Sequence, residues 1–173
     1  DPHAWHNPQN VKLYVNNIRA ALTQADPAGK DYYSQRASQY SQQLDALDAD
    51  ARQRFAAIPA SQRKVLTSHD AFGYLAQRYQ IRFLSPQGVS TDAEASAKTV
   101  AKLVRQVKAE KIRAVFVENM SDKRLLEQLS REAGVQVGGK LYADALSPAN
   151  GPAPSYLKLF SHNVNSLSAA MKP

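Results

Sequence analysis

Apolar positions near the start of the chain recur as Val11, Tyr14, Val15, Ile18 and Leu22, the one-sided spacing of a helix over 8–22. Asn7 and Pro8 stand before it as an N-cap and a first helical residue. Asp26-Pro27-Ala28-Gly29 reads as a break. A longer helical pattern then covers 31–58, with Tyr33, Ala37, Tyr40, Leu44, Leu47, Ala51, Phe55 and Ile58 at alternating steps of three and four. Such a helix is roughly 40 Å long at 1.5 Å per residue. Ala and Tyr fill stripe positions where a zipper prefers Leu and Ile, so it reads as a strut along a larger body rather than a coiled coil.

Beyond Pro59 the pattern changes to short apolar runs alternating with amphipathic segments. A strand over 64–68 leads to a helix over 70–79, with Phe72, Leu75, Ala76 and Tyr79 on one face. A strand over 81–84 leads to a capping box, Thr91 to Glu94, and a helix running to Ala109 with Val100, Leu103, Val104 and Val107 inward. A strand over 114–117 and a helix bearing Leu125, Leu126 and Leu129 follow, the helix ending at Gly134 as a C′ residue. Residues 135–142 include the next strand, and 155–171 form a closing amphipathic helix. This alternation predicts an α/β lobe: a parallel four-stranded sheet with right-handed crossovers and helices on both faces. The residues after its strands, His69, Ser85-Pro86, Glu118 and Asp144, then share one sheet edge. Ligands of open α/β sheets bind at that carboxyl edge.

Composition narrows the classes. At 173 residues, 43% hydrophobic and 21% charged, the chain has the make-up of an ordinary globular protein, and no apolar run approaches a membrane span. It opens on Asp-Pro-His without a methionine or leader, and is read as a processed or truncated chain. The net charge of +7 comes from Lys and Arg dispersed among Gln, Asp and Glu, with no aromatic-basic ladder. A solvated basic surface explains it, and no nucleic-acid partner is expected. The absence of cysteine excludes disulfides, thiolate catalysis and Cys-based zinc sites.

The candidate chemistry is imidazole and carboxylate. His69 follows the first strand and Asp144 the last, while His3 stands on the far side of the long helix. Histidine with carboxylate suits Zn²⁺, Mn²⁺ or Fe²⁺. Each residue also has a plainer use: His69 and Asp144 as caps, and His6 as a surface residue outside the ligand set. Glu118 reads as a ligand, a brace for a ligand histidine, or an Arg partner, and a structural or supporting role is preferred to a ligand one. Ser68 beside His69 lacks a G-x-S-x-G elbow, and neighbouring strand residues point to opposite faces. No P-loop or dinucleotide fingerprint is present.

Three ordered segments carry a resemblance. DPHAWHNP resembles the Asp-Pro-His-x-Trp segment of the metal-specific solute-binding proteins of bacterial ABC importers for zinc, manganese or iron. TSHDAFGYLAQRY resembles the segment that supplies another ligand, and LYADALSP the one that supplies a ligand aspartate. VFVENM and QGVSTDAEAS are similar to further family segments. The resemblance implies the metal ligands His3, His69 and Asp144. It implies two α/β lobes joined by one long helix with the ion between them. Residues 1–30 are then a remnant of the first lobe, 31–60 the linking helix and 61–173 the C-terminal lobe. The family's earlier histidine segment has no counterpart here, so the chain is expected to be a C-terminal portion.

The resemblance implies capture of a divalent ion and delivery to a membrane permease, without catalysis, by a monomer in the periplasm, or a cell-surface lipoprotein in a Gram-positive source. His69 makes Zn²⁺ the favoured ion over Mn²⁺ or Fe²⁺. Two other classes compete with this reading. A zinc hydrolase would use Glu118 as base, and a helical interaction module would rest on 31–58 alone.

Overall fold

The computed structural model of the chain describes residues 1–89 and 96–172. Four short strands form its centre: β1 (Lys64–Leu66), β2 (Arg82–Leu84), β3 (Ala114–Glu118) and β4 (Gly139–Leu141). They lie in the order β2-β1-β3-β4, and every pairing is parallel. Six helices accompany them: α1 (Pro8–Ala25), α2 (Lys30–Ala56), α3 (Gly73–Tyr79), α4 (Ala97–Ala109), α5 (Lys123–Ala133) and α6 (Tyr156–Met171).

Side chains alternate across a strand, so one sheet buries two sets of apolar residues. Val65, Ala114 and Phe116 face one way, against Phe55 of α2, Leu75 of α3 and Phe160 and Leu167 of α6. Leu66 and Val115 face the other way, against Val100, Leu103 and Val107 of α4 and Leu126 and Leu129 of α5. The chain steps from β1 outward to β2, then back past β1 to β3 and on to β4. Crossovers of one hand therefore put α3 on one face and α4 and α5 on the other. The crevice at which ligands bind such sheets opens where the steps reverse, between β1 and β3.

The caps follow the local chemistry. Asn7 accepts from the Gln9 amide at 3.0 Å, and Gly134 ends α5 in the left-handed region at φ 72°. Ser96 caps α4 through the Thr99 amide; the expected capping box at 91–94 lies outside the described residues. Two expectations change. The helix after β1 starts at Gly73 rather than residue 70, because Thr67–Phe72 forms a loop whose polar groups are already taken. In α1 the stripe is largely uncovered: only Pro8 and Val11 are buried, while Tyr14, Ile18 and Leu22 stand exposed.

The long helix is a strut, not half of a coiled coil. Ala37, Leu44, Ala51 and Phe55 are buried along α2, which lies against α1, α3 and α6 of the same chain. Asp48 sits in that buried stripe and takes Arg78 Nε at 2.6 Å and the Tyr79 hydroxyl at 2.7 Å, fastening α2 to α3.

Candidate metal centre

Glu118, the last residue of β3, organises the loop that carries His69. Its Oε1 accepts the backbone amides of Ser68 at 2.9 Å and His69 at 3.1 Å. Its Oε2 pairs with His69 Nδ1 and accepts the Ser121 hydroxyl at 3.2 Å. The Thr67 hydroxyl closes the turn on the His69 carbonyl at 3.1 Å. A carboxylate on Nδ1 holds that nitrogen as the donor and leaves Nε2 with a lone pair turned outward. The same hydrogen bond raises the His69 pKa, against the opposing effect of burial.

His3 is held in the same way from the other end of the chain. Asp1 Oδ1 accepts its backbone amide at 2.9 Å and lies 2.7 Å from its Nδ1. Burial holds the His3 imidazole below its usual pKa, outweighing the pull of Asp144. Trp5 fastens the segment to the lobe: its indole donates to the Ala143 carbonyl at 3.0 Å, and its own carbonyl accepts the Tyr156 hydroxyl at 2.8 Å. Asp1 sits over the first turn of α3, where a Cβ on Gly73 would come within 2.6 Å of Asp1 Oδ2. A larger residue there would displace the Asp1 carboxylate.

Asp144 is presented by the loop after β4. Asn119 brackets this loop, accepting from the Ala143 amide at 3.3 Å and donating to the Ala145 carbonyl at 3.1 Å. The Asp144 carboxylate then lies between the two histidines, Oδ1 at 3.2 Å from His3 Nε2 and Oδ2 at 3.4 Å from His69 Nε2. One ligand atom from each of His3, His69 and Asp144 falls within 4.8 Å of the others, and the His3 and His69 rings meet edge to face at 5.3 Å. The two imidazoles are buried and the carboxylate is exposed, so the group is open on one side.

The three residues expected from the sequence are thus brought together. His6 differs from expectation: it is fully buried, packed against Phe72 and Trp5 with ring centroids at 4.6 and 5.8 Å, rather than on the surface. Neither of its ring nitrogens finds a partner among the described residues, and burial pushes its pKa down to about 3. Glu118 has a supporting role, and of the uses open to it the structure shows the brace on His69. Its carboxylate is consumed by His69, Ser121 and two amides, so the base of the hydrolase alternative is already engaged. Asn119 and Gly73 escape sequence reasoning because their neighbours lie far away in the chain, and Asp1 because its side chain turns back on His3 only in the folded segment.

An α/β sheet edge that gathers two braced imidazoles and a carboxylate has the donor set of a metal-binding protein, and comparison with known proteins bears on it directly. The family described as "Zinc-uptake complex component A periplasmic" (ZnuA) matches residues 1–170. The chain belongs to this family of metal-binding substrate-binding proteins of ABC importers. It is 36% identical over 168 residues to the iron-binding protein YfeA of Yersinia pestis, covering 97% of this chain and 54% of that one. It is 35% identical over 179 residues to the zinc-binding protein TroA of Treponema pallidum, covering 99% and 57%. The manganese ABC transporter substrate-binding lipoprotein PsaA of Streptococcus pneumoniae is 27% identical over 171 residues, with 99% and 55% covered. The solved structure of TroA superposes with a TM-score of 0.96 at 32% identity, over 100% of this chain and 64% of that one. The chain spans about half the length of the curated relatives it matches. The family is a periplasmic one that includes surface lipoproteins, and no helix among the described residues is long and apolar enough to cross a membrane.

Proposed function

We propose that this chain supplies three ligands, His3, His69 and Asp144, to a divalent transition-metal ion carried as cargo to an ABC permease. The observation that carries the reading is the disposition of the two imidazoles. Each has Nδ1 on a carboxylate, Asp1 or Glu118, and each directs Nε2 toward Asp144. Carboxylate-braced histidines converging on a third donor are the arrangement that fixes tautomer and ring orientation for a metal. In this reading residues 1–30 belong to a preceding lobe, 31–60 link the lobes, and 61–173 form the second lobe. A further donor from the preceding lobe completes the coordination, and closing of the lobes removes water from the ion.

Zinc is the favoured cargo. Imidazole nitrogen with a single carboxylate is a donor set that suits tetrahedral Zn²⁺. Manganese and iron remain the alternatives, supported by the names of PsaA and YfeA. They favour more oxygen donors than two imidazoles and one carboxylate provide.

Isothermal titration of the intact protein with Zn²⁺ and Mn²⁺ tests this. His69→Ala is expected to lower Zn²⁺ affinity at least about a hundredfold, since a direct ligand should cost no less than the 10–100-fold typical of an outer partner. His6→Leu is expected to leave it nearly unchanged. Unchanged zinc affinity in His69→Ala would sink the site assignment, and tighter binding of Mn²⁺ than of Zn²⁺ would overturn the choice of cargo.

A further inference from the structure

The positive charge of the chain is not spread evenly over the folded surface. Several cations elsewhere sit beside acids: Lys12 with Asp45, Arg52 with Asp48, Arg54 with Asp50, Lys123 with Glu127, Arg124 with Asp122; others, such as Lys30, Arg36 and Lys158, are scattered singly. The segment from Ser96 to Arg113 is different, with six cations and a single acid, Glu110. Glu110 is itself taken by Lys64 at 2.9 Å and Arg82 at 2.8 Å. Lys98, Lys102, Arg105, Lys108, Lys111 and Arg113 are all exposed.

Helical geometry collects four of these on one side. Val100, Leu103, Val104 and Val107 turn α4 inward against the sheet. At 100° per residue, Lys98, Lys102, Arg105 and Lys108 then point to solvent, along roughly 15 Å of helix. Lys111 and Arg113 continue the row past the end of α4. This flank is on the sheet face opposite α2, α3 and α6. The His3–His69–Asp144 edge lies at the carboxyl ends of the strands, beside this flank and not beneath it.

We infer that the α4 flank is an electrostatic docking surface for the anionic phospholipid headgroups of a membrane. Two features favour a lipid surface over a shaped protein partner. The residues between the cations on the outer side, Ala97, Ala101 and Ala109, are small, and no aromatic residue stands among them. Protein interfaces concentrate their energy in buried aromatic and Arg anchors set in pockets, whereas a fluid headgroup layer needs only mobile charges at its surface. A periplasmic family with lipoprotein members also works beside a membrane. Held by this flank, the chain keeps its metal edge at the side, free for exchange. The inference holds for any cargo metal.

Vesicle flotation of the purified 173-residue chain tests it, using phosphatidylcholine vesicles with and without about a third phosphatidylglycerol. Each surface Lys or Arg contributes about fivefold to partition onto an anionic membrane. Binding is expected only to the anionic vesicles, and it is expected to vanish near 1 M salt, where the screening length is about 3 Å. The triple variant Lys102→Glu/Arg105→Glu/Lys108→Glu is expected to lower partition by about a hundredfold or more with an unchanged melting temperature. Lys30→Glu/Arg36→Glu/Lys158→Glu, which changes the net charge equally on the other side, is expected to cost less than a tenth of that. Equal loss in both variants, binding to neutral vesicles, or wild-type binding by the α4 variant would overturn the proposal. So would binding that requires a membrane protein in the vesicles, which would assign the flank to an acidic protein partner.

Discussion

Glu118 shows how much one side chain sets at the site. Its two oxygens take two backbone amides, one hydroxyl and the His69 ring. Glu118→Gln keeps the shape and an acceptor for the amides, but its NH₂ cannot accept the Nδ1 proton. His69 is then free to turn or to change tautomer. Metal affinity of the intact protein is expected to fall about 10–100-fold, read by competition against a chromogenic chelator, with the fold retained by circular dichroism. His6 is a contrasting case at the same scale. Buried and without hydrogen-bond partners among the described residues, it illustrates that a histidine beside a candidate site can serve as an aromatic filler, here packed at a tilt against Phe72.

Among the elements, α2 depends on one polar contact within an apolar stripe. Burial pushes the Asp48 carboxyl up, but hydrogen bonds from Arg78, Tyr79 and Arg52 outweigh it and hold its pKa at about 2. An unfolded Asp titrates near 3.9. The folded pKa is the lower one, so the stabilisation is complete above about pH 4 and is lost as pH falls through 2. Asp48→Asn is expected to flatten the decline of melting temperature between about pH 4 and 2. At neutral pH it should cost about 3 kcal/mol, or roughly 10 °C, because Arg78 loses its partner in a largely buried setting. Thermal unfolding followed across that pH range checks both.

At the scale of the whole molecule, the site is assembled from three places: the N-terminal segment, the β1 loop and the β4 loop. In the proposed reading a tetrahedral zinc site takes four donors, of which this chain offers three. A longer protein that includes a preceding lobe is therefore expected to bind Zn²⁺ more than about tenfold tighter than this chain alone, a factor worth about 1.4 kcal/mol. Equal affinities, measured by titration of both, would mean that these residues hold the ion unaided. The exposed Tyr14, Ile18 and Leu22 of α1 fit the same reading, in which that helix belongs to a preceding lobe.

Much of this was legible from the sequence by itself. Periodicity located the six α-helices and four strands among the described residues, most of them to within a few positions, because two-faced burial writes a period of two or of 3.6 into the longer elements. It missed the short 3-10 turns at Ala4–His6, Pro27–Gly29 and Ala60–Gln62. The strand ends then nominated His69, Glu118 and Asp144, and the segment resemblance added His3. What periodicity does not carry is contact between distant segments. Only the fold decided that Trp5 ties residue 3 to the β4 loop, that Asp1 packs over Gly73, and that His6 faces inward. Pattern reading also overstated burial on α1 and began α3 three residues early. The first depends on which element covers a face, and the second on where the hydrogen bonds of Thr67–Phe72 are spent. Residue types and local spacing determine which groups are available for chemistry, while the side-chain tethers that aim those groups at a common point exist only in the tertiary structure.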